Sequence, residues 1–167
     1  MKRYLLILFL FLMVLKSQSQ VFYNNGALVA IKSGGIVQIN GSAENAAAGS
    51  LENTGNTTIT GNFTNNAAAS GNGTYTVAGN WINNSTFTSG TGTVIFNGTA
   101  PQMIGGTAVT TFNNLTVNNT GGGVSLNNIG AGINNTLTLT TGNFNVATQI
   151  LTLNNSATAV AGSPFSA

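Results

Sequence analysis

Few side chains in this sequence could take part in acid–base, nucleophilic or metal chemistry. From residue 20 onward the charged side chains are Lys32, Glu44 and Glu52, and the stretch 53–167 contains no Asp, Glu, Lys, Arg, His or Cys. General acid–base catalysis needs a group that titrates near the working pH, and a catalytic nucleophile needs a base beside it. Zinc and calcium bind to these same residue types. We therefore expect no catalytic, cofactor-binding or metal-binding residue, and we expect that the protein is not an enzyme.

Two glutamates remain as a candidate catalytic pair. Glu44 and Glu52 lie close together in a stretch rich in Gly, Ala and Asn. We interpret them as two solvated charges. A polysaccharide-cleaving enzyme built on a solenoid would need carboxylates or basic residues on one of its faces, and this chain lacks them.

Aromatic side chains are the second kind of candidate, because sugar rings stack on exposed aromatic rings. Tyr75, Trp81 and Phe87 are close in sequence and would suit a glycan site. However, Trp81 aligns with Phe63 in the internal repeat described below. This match favours a place for Trp81 in the core.

Threonines at alternate positions are the third candidate, because a flat threonine surface would suit ice or a glycan. The pairs and the one triplet are Thr58/Thr60, Thr74/Thr76, Thr86/Thr88, Thr91/Thr93 and Thr136/Thr138/Thr140. A flat face requires the same position in every repeat. In the alignment described below, Thr60 falls on Ala78 and Asn56 falls on Thr74. The alignment therefore predicts no continuous threonine face.

Residues 1–19 have the three-part pattern of a secretory signal peptide. The chain opens with Met1, Lys2 and Arg3, continues with an unbroken apolar run at 4–15, and reaches small residues at 17–19. A bilayer span needs about 20 apolar residues, so this run is too short to be one. We expect cleavage near Ser19, and hence two parts, the signal peptide 1–19 and a secreted repeat region 20–167.

Removal of the signal peptide changes the charge of the protein. The formal net charge is +2 for the whole chain, and it becomes −1 for residues 20–167, which have one Lys and two Glu. The sequence pI of about 9.3 therefore comes from residues 1–19. It gives no reason to expect a nucleic-acid partner. Without cysteines there are no disulfides, so packing and backbone hydrogen bonds must supply the stability.

An internal repeat organises the middle of the chain. Residues 55–66 (GNTTITGNFTNN) and 73–84 (GTYTVAGNWINN) align without a gap at an offset of 18. Repeats of this length must stack on one another to bury a shared face. We expect four apolar residues to form an inward ladder, Phe63 to stack on Trp81, and the asparagine pairs to stack at the turns. The ladder residues are Ile39, Ile59, Val77 and Phe96.

The local pattern is that of short strands separated by turns. Segments such as TYTVAG and TVIFNG alternate with period two, are rich in β-branched residues, and end in Gly or Asn. A repeat of about 18–22 residues with two or three short strands is typical of one coil of a parallel β-helix. We therefore predict an all-β parallel solenoid, wound right-handed because parallel crossovers are right-handed. After residue 100 an apolar–x–apolar–Asn–Asn form appears at 115–119, 124–128 and 151–155, without a fixed register.

Residues 55–155 resemble a repeat family of very large secreted surface proteins from Bacteroidetes-type bacteria. The resemblance rests on GNWINNSTFTSGTGTVIFNGTAPQMIGG, TTFNNLTVNNTGGGVSLNN and TLTLTTGNF. It implies a β-solenoid fold, an adhesin-like role at the cell surface and export by the type IX system. Members of the family continue for many more repeats and end in a sorting domain, so we expect this chain to be truncated at its C-terminal end.

These observations favour a non-catalytic structural or adhesive segment of a secreted bacterial cell-surface protein. The alternatives are a glycan- or ice-binding solenoid and a fibril-forming matrix protein, since low charge and stacked asparagines also suit cross-β packing. The expected partners are surface glycans or other cell-surface proteins. An uncapped solenoid end would also associate with other copies end to end.

Overall fold

The computed structural model describes residues 20–154 and 156–161, and the predicted signal peptide lies outside them. This part of the chain consists of nineteen β-strands joined by turns, without a helix. The first four coils contribute twelve strands: β1 (Gln20–Asn24), β2 (Leu28–Ile31), β3 (Ile36–Ile39), β4 (Gly41–Asn45), β5 (Ser50–Asn53), β6 (Asn56–Ile59), β7 (Phe63–Asn65), β8 (Ala68–Ser70), β9 (Thr74–Val77), β10 (Trp81–Asn83), β11 (Phe87–Thr88) and β12 (Thr93–Phe96). The later coils contribute seven: β13 (Gln102–Gly106), β14 (Thr110–Asn118), β15 (Val124–Leu126), β16 (Ala131–Thr141), β17 (Phe144–Asn145), β18 (Leu151–Leu153) and β19 (Thr158–Ala161).

The strands form three parallel sheets that run along the axis of the solenoid. Sheet A has the order β1-β4-β7-β10-β13-β15-β17, and sheet B has the order β2-β5-β8-β11. Sheet C has the order β3-β6-β9-β12-β14-β16-β18, with β19 also paired to β16. Each strand pairs in parallel with the equivalent strand of the next coil. This is a parallel β-solenoid of about seven turns, which confirms the fold class expected from the repeat.

The core consists of inward rows of apolar side chains stacked from coil to coil. On sheet C, Ile39 pairs with Ile59, Ile59 with Val77, and Val77 with Phe96. Ile59, Val77 and Phe96 are at most 1% exposed, and Ile39 in the first coil is half-buried. The alternation of the sequence therefore places every second side chain of these strands inside. The predicted inward ladder is confirmed, and it continues to Val117 on β14.

The coils differ in length where a loop is inserted. Trp81 is the register partner of Phe63 in the coil before it and of Ile104 in the coil after it, and the second of these two steps is the longer. Most of the extra residues lie between Phe96 and Ile104, in the loop that contains Pro101. At this point the coil is slightly longer than the range expected from the sequence.

The later coils replace the separate strands of sheets B and C by one long bent strand. Sheet B ends at β11, while β14 and β16 are nine and eleven residues long. Their pairing shifts register between Phe112 and Asn114, which is where β14 bends. Phe112 on the first part of β14 packs against Phe87 of the coil below, with ring centroids 6.2 Å apart. The first part of β14 therefore covers the side that sheet B covers in earlier coils.

The bend also explains why the sequence left the register open after residue 100. The three apolar–x–apolar–Asn–Asn segments do not lie at equivalent positions. Residues 115–117 belong to β14 in sheet C, residues 124–126 are β15 in sheet A, and residues 151–153 are β18, which pairs with the first part of β16. The motif supplies two inward apolar side chains followed by a corner, and this arrangement occurs on every side of the solenoid. The motif therefore does not indicate to which sheet a segment belongs.

Candidate functional site: stacked asparagines and outer faces

A ladder of four buried asparagines runs through the first corner of the solenoid. They are the last residues of β1, β4, β7 and β10, and they are at most 3% exposed. In the first three, the side-chain amide nitrogen donates to the Oδ1 atom of the asparagine in the next coil. The three distances are 3.0 Å for Asn24 to Asn45, 3.0 Å for Asn45 to Asn65, and 2.9 Å for Asn65 to Asn83.

The second amide hydrogen of Asn24, Asn45 and Asn65 is also used. Asn45 donates to the backbone carbonyl of Ala68 at 2.9 Å, and Asn65 donates to that of Thr86 at 3.0 Å. These carbonyls lie in the next coil, just before or within sheet B, so each amide ties two coils and two sides together. A buried amide costs free energy unless it is hydrogen-bonded. Stacking satisfies these groups, and the stacked asparagines predicted from the repeat are confirmed.

The ladder stops at Gly106, the residue that pairs with Asn83 in the next coil. Gly106 has φ of +117°, and a Cβ atom there would lie 2.0 Å from the carbonyl oxygen of Asn83. Only glycine tolerates both the conformation and the close approach. Asn83 instead donates to the carbonyl of Ala108, at 3.4 Å.

A second buried polar network holds the corner between sheets C and A in the later coils. Gln102 donates to the carbonyls of Val77 and Gly79, and its Oε1 atom accepts from the backbone of Gly98 at 2.8 Å. Asn119 donates to the same Oε1 atom at 2.9 Å. Gln102 is 1% exposed, and Asn119 is fully buried. This pair could not be found from the sequence, because Gln102 follows directly on the inserted loop and has no counterpart in the aligned repeats.

The aromatic residues that were candidates for a glycan site belong to the core. Trp81 is fully buried, with its ring 4.5 Å from that of Phe63 and 5.6 Å from that of Phe112. Its indole nitrogen donates to the hydroxyl of Thr110 at 3.2 Å. The predicted stacking of Trp81 on Phe63 is confirmed. Phe87 is half-buried and packs edge-on against Trp81 at 4.9 Å, so it offers no outward platform either.

Tyr75 lies in the same aromatic cluster and is 1% exposed. Its hydroxyl donates to the carbonyl of Ser70 at 3.3 Å. Burial raises the pKa of this hydroxyl well above its ordinary value, because the interior solvates a phenolate poorly. Tyr75 is thus a neutral structural side chain at ordinary pH.

Among the residues that the structure describes, the charged side chains lie in the first two coils and do not converge. Lys32 and Glu52 form an exposed ion pair at 3.1 Å on the outside of the solenoid. Glu44 lies on the outer face of sheet A and accepts from the side chain of Asn66 at 2.9 Å. Within residues 20–154 and 156–161, no group of three or more His, Cys, Asp or Glu side chains lies together.

The outer face of sheet C carries two straight rows of short side chains, which we call the threonine face. The register partners in the first row are Asn56, Thr74, Thr93, Asn114, Thr136 and Thr158. Those in the second row are Thr58, Thr76, Ile95, Thr116, Thr138 and Val160.

The rows agree with the prediction that paired threonines do not recur at one position in every coil. The alignment of Asn56 with Thr74 is right, and Thr60 and Ala78 each follow the last paired residue of β6 and β9. The rows, however, run through Thr58 and Thr76 and continue into the later coils, whose register the sequence had left open. Strands β9 and β16 contribute threonine to both rows, and the other four strands contribute one threonine each.

An apolar cavity of about 110 Å³ lies in the core of the first coils. Its lining includes Val37, Tyr75 and Thr57, and the Thr57 hydroxyl is a buried polar atom without a hydrogen-bond partner. Two open hollows near the later coils, one beside Ile150 and one beside Asn143, have no ionisable side chain in their linings.

The described part of the chain has no helix with the length and apolar character that crossing a bilayer would require. No family model, no curated protein and no solved structure matches the chain.

Proposed function

We propose that this chain is a non-catalytic structural or adhesive segment of a secreted bacterial cell-surface protein. The observation that carries the proposal is the use of the buried polar side chains. Asn24, Asn45, Asn65 and Asn83 bond from coil to coil along the axis, and they do not converge on a pocket. Polar groups in the interior thus strengthen the stack, as a rod requires.

The outer surface supports the same role. Lys32 is the only lysine or arginine after residue 19, so trypsin-like proteases find one cleavage site in the repeat region. A stack of parallel strands without disulfides keeps its stability independent of the redox state outside the cell. These features suit a protein that has to persist in a protease-rich environment.

The first coil is the part that we expect to contact a second copy or another surface protein. Its outward positions carry Val21, Leu28 and Ile36, which are 58%, 69% and 80% exposed. The register partners of these residues in the second coil are Ser42, Ser50 and Asn56. In addition, β1, β2 and β3 each pair with one neighbour within the described residues, so removal of residues 1–19 would offer the other edge of these strands to a partner. Weak charge would not oppose such contacts.

The proposal is tested by locating the protein and by removing it. An antibody against the repeat region should label intact cells of the source bacterium, and mass spectrometry of the released protein should find an N-terminus at or close to Gln20. Deletion of the gene should reduce attachment of the cells to surfaces or to one another. Protein that stays inside the cell, or keeps Met1 after export, would contradict the proposal.

Adhesion and catalysis are separated by a second measurement. The purified region 20–167 should bind cells or surface material without changing the size of the polysaccharides or proteins present there. Turnover of such a substrate by the purified region would contradict a non-catalytic role.

A further inference from the structure

The threonine face is an uncharged surface of two in-register rows along most of the solenoid. Within a row, neighbouring residues are separated by the spacing of parallel strands, about 4.8 Å, and the two rows are separated by two positions along a strand, about 6.6 Å. The face spans six strands, from β6 to β19. None of its twelve side chains is charged or aromatic.

The concentration of threonine on this face is greater than strand propensity explains. Threonine favours strands in general, so propensity alone would enrich all three outer faces similarly. Eight of the twelve side chains of the threonine face are threonine. By contrast, the outward positions of the sheet A strands include one threonine, Thr64, and those of the sheet B strands include one, Thr88.

The side chains of the face are held in place from below. The inward residues that alternate with them include Val77, Val94, Leu115 and Val117, all at most 3% exposed. Threonine is branched at Cβ and has a restricted χ1 angle, so each hydroxyl and methyl has few orientations. The eight threonines therefore present hydroxyl and methyl groups at fixed positions, and the rows are interrupted by Asn56, Asn114, Ile95 and Val160.

We propose that the threonine face binds the surface of ice. A ligand that matches this face has to be periodic in two directions, neutral, and able to accept both hydroxyl and methyl contacts. The oxygen atoms on a prism face of hexagonal ice repeat at intervals comparable to those of the rows. The ordered water at the ice surface can pack against the methyl groups and form hydrogen bonds to the hydroxyls. A polysaccharide surface would be matched by exposed aromatic platforms, whereas Tyr75 and Trp81 are buried. This activity goes beyond the structural role proposed above and does not depend on it.

The proposal is tested with the purified region 20–167 in a slowly frozen solution. The protein should be enriched in the ice fraction and should slow the growth of ice crystals during annealing. The double variant Thr76→Tyr, Thr116→Tyr places two large side chains in the middle of the second row, and it should lose most of the enrichment. The control variant Thr64→Tyr places one such side chain on the outer face of sheet A, and it should behave like the unmodified protein.

Circular dichroism and thermal melting show whether each variant is folded, so a loss of ice binding is read only from folded protein. Exclusion of the unmodified region from ice would overturn the proposal. Equal loss in the folded Thr64→Tyr control would overturn it as well, because binding would then not belong to the threonine face. Binding of the protein to crystalline cellulose or chitin, without enrichment in ice, would also overturn the proposal. It would indicate that the face binds a glycan surface.

Discussion

Replacement of Asn65 by alanine should destabilise the solenoid much more than replacement of its neighbour Asn66. The Asn65 side chain is fully buried; it accepts from Asn45 at 3.0 Å and donates to Asn83 at 2.9 Å and to the Thr86 carbonyl at 3.0 Å. A hydrogen bond contributes about 1 kcal/mol net, and each buried partner left without one costs about 1–3 kcal/mol. Since Asn45 keeps its bond to the Ala68 carbonyl, we expect a total loss of about 3–5 kcal/mol.

Asn66→Ala is the matched control. The Asn66 side chain donates to Glu44 at 2.9 Å and accepts from Asn84 at 2.8 Å, but these groups are partly or fully open to water. Water replaces such bonds, so the expected loss is below about 1 kcal/mol. Guanidinium unfolding of both variants, followed by circular dichroism, gives the comparison. Equal losses in the two variants, or a loss below about 1 kcal/mol for Asn65→Ala, would refute the role of the ladder.

A second variant separates hydrogen bonding from the cavity that alanine leaves. Asn65→Asp keeps the volume of the side chain but removes its donors when it is ionised, and it buries a charge. We expect a large destabilisation at neutral pH and partial recovery in acid, where the protonated carboxyl can donate again. A pH-independent stability of this variant would show that side-chain volume is what matters at this position.

Three further predictions concern the core. Trp81→Ala should lower the free energy of unfolding by roughly 3–5 kcal/mol, as expected for a buried tryptophan. In the unmodified protein the fluorescence of Trp81, the only tryptophan, should be blue-shifted and protected from quenching by acrylamide. A variant of unchanged stability, or a ring that acrylamide reaches, would contradict the packing. Thr57→Val should raise stability by about 1–2 kcal/mol, because it removes a buried hydroxyl without a partner; a loss of stability in denaturant titration would contradict this. Because burial raises the pKa of Tyr75, the unfolded chain loses this proton first, so the contribution of Tyr75 to stability should be constant below about pH 10 and should fall as the pH rises further. Tyr75→Phe should weaken that fall, and an unchanged pH profile in this variant would assign the fall to other groups.

The fold could be predicted where the repeats are regular. In the coils that contain Phe63 and Trp81, the offset between the aligned repeats equals the register of the sheets. Apolar side chains in alternate positions must turn inward, so the ladder from Ile39 to Phe96 followed from the sequence alone. The asparagine stacking followed in the same way, since a buried amide needs an equivalent partner in the next coil.

The later coils and the outer face could not be predicted, for a physical reason. From Thr110 onward one bent strand replaces two, and a bulge between Phe112 and Asn114 breaks the constant offset. The motif of two apolar residues and an asparagine pair suits any corner, so it does not report which side it occupies. The threonine rows cross these later coils, so only their first step, from Thr58 to Thr76, could be read from the aligned repeats.

The central claim is that the coils stack in register as a rigid rod, and a distance along its outer face tests this most directly. Gln38 and Thr138 lie in one row on sheet C, separated by five strand spacings, which amounts to about 24 Å. Because the chain has no cysteine, the double variant Gln38→Cys, Thr138→Cys can be labelled with nitroxides at these two positions alone. Pulsed electron spin resonance should give one narrow distribution centred within a label length of this distance. A broad distribution, or a narrow one at a clearly different distance, would contradict the rigid in-register stack.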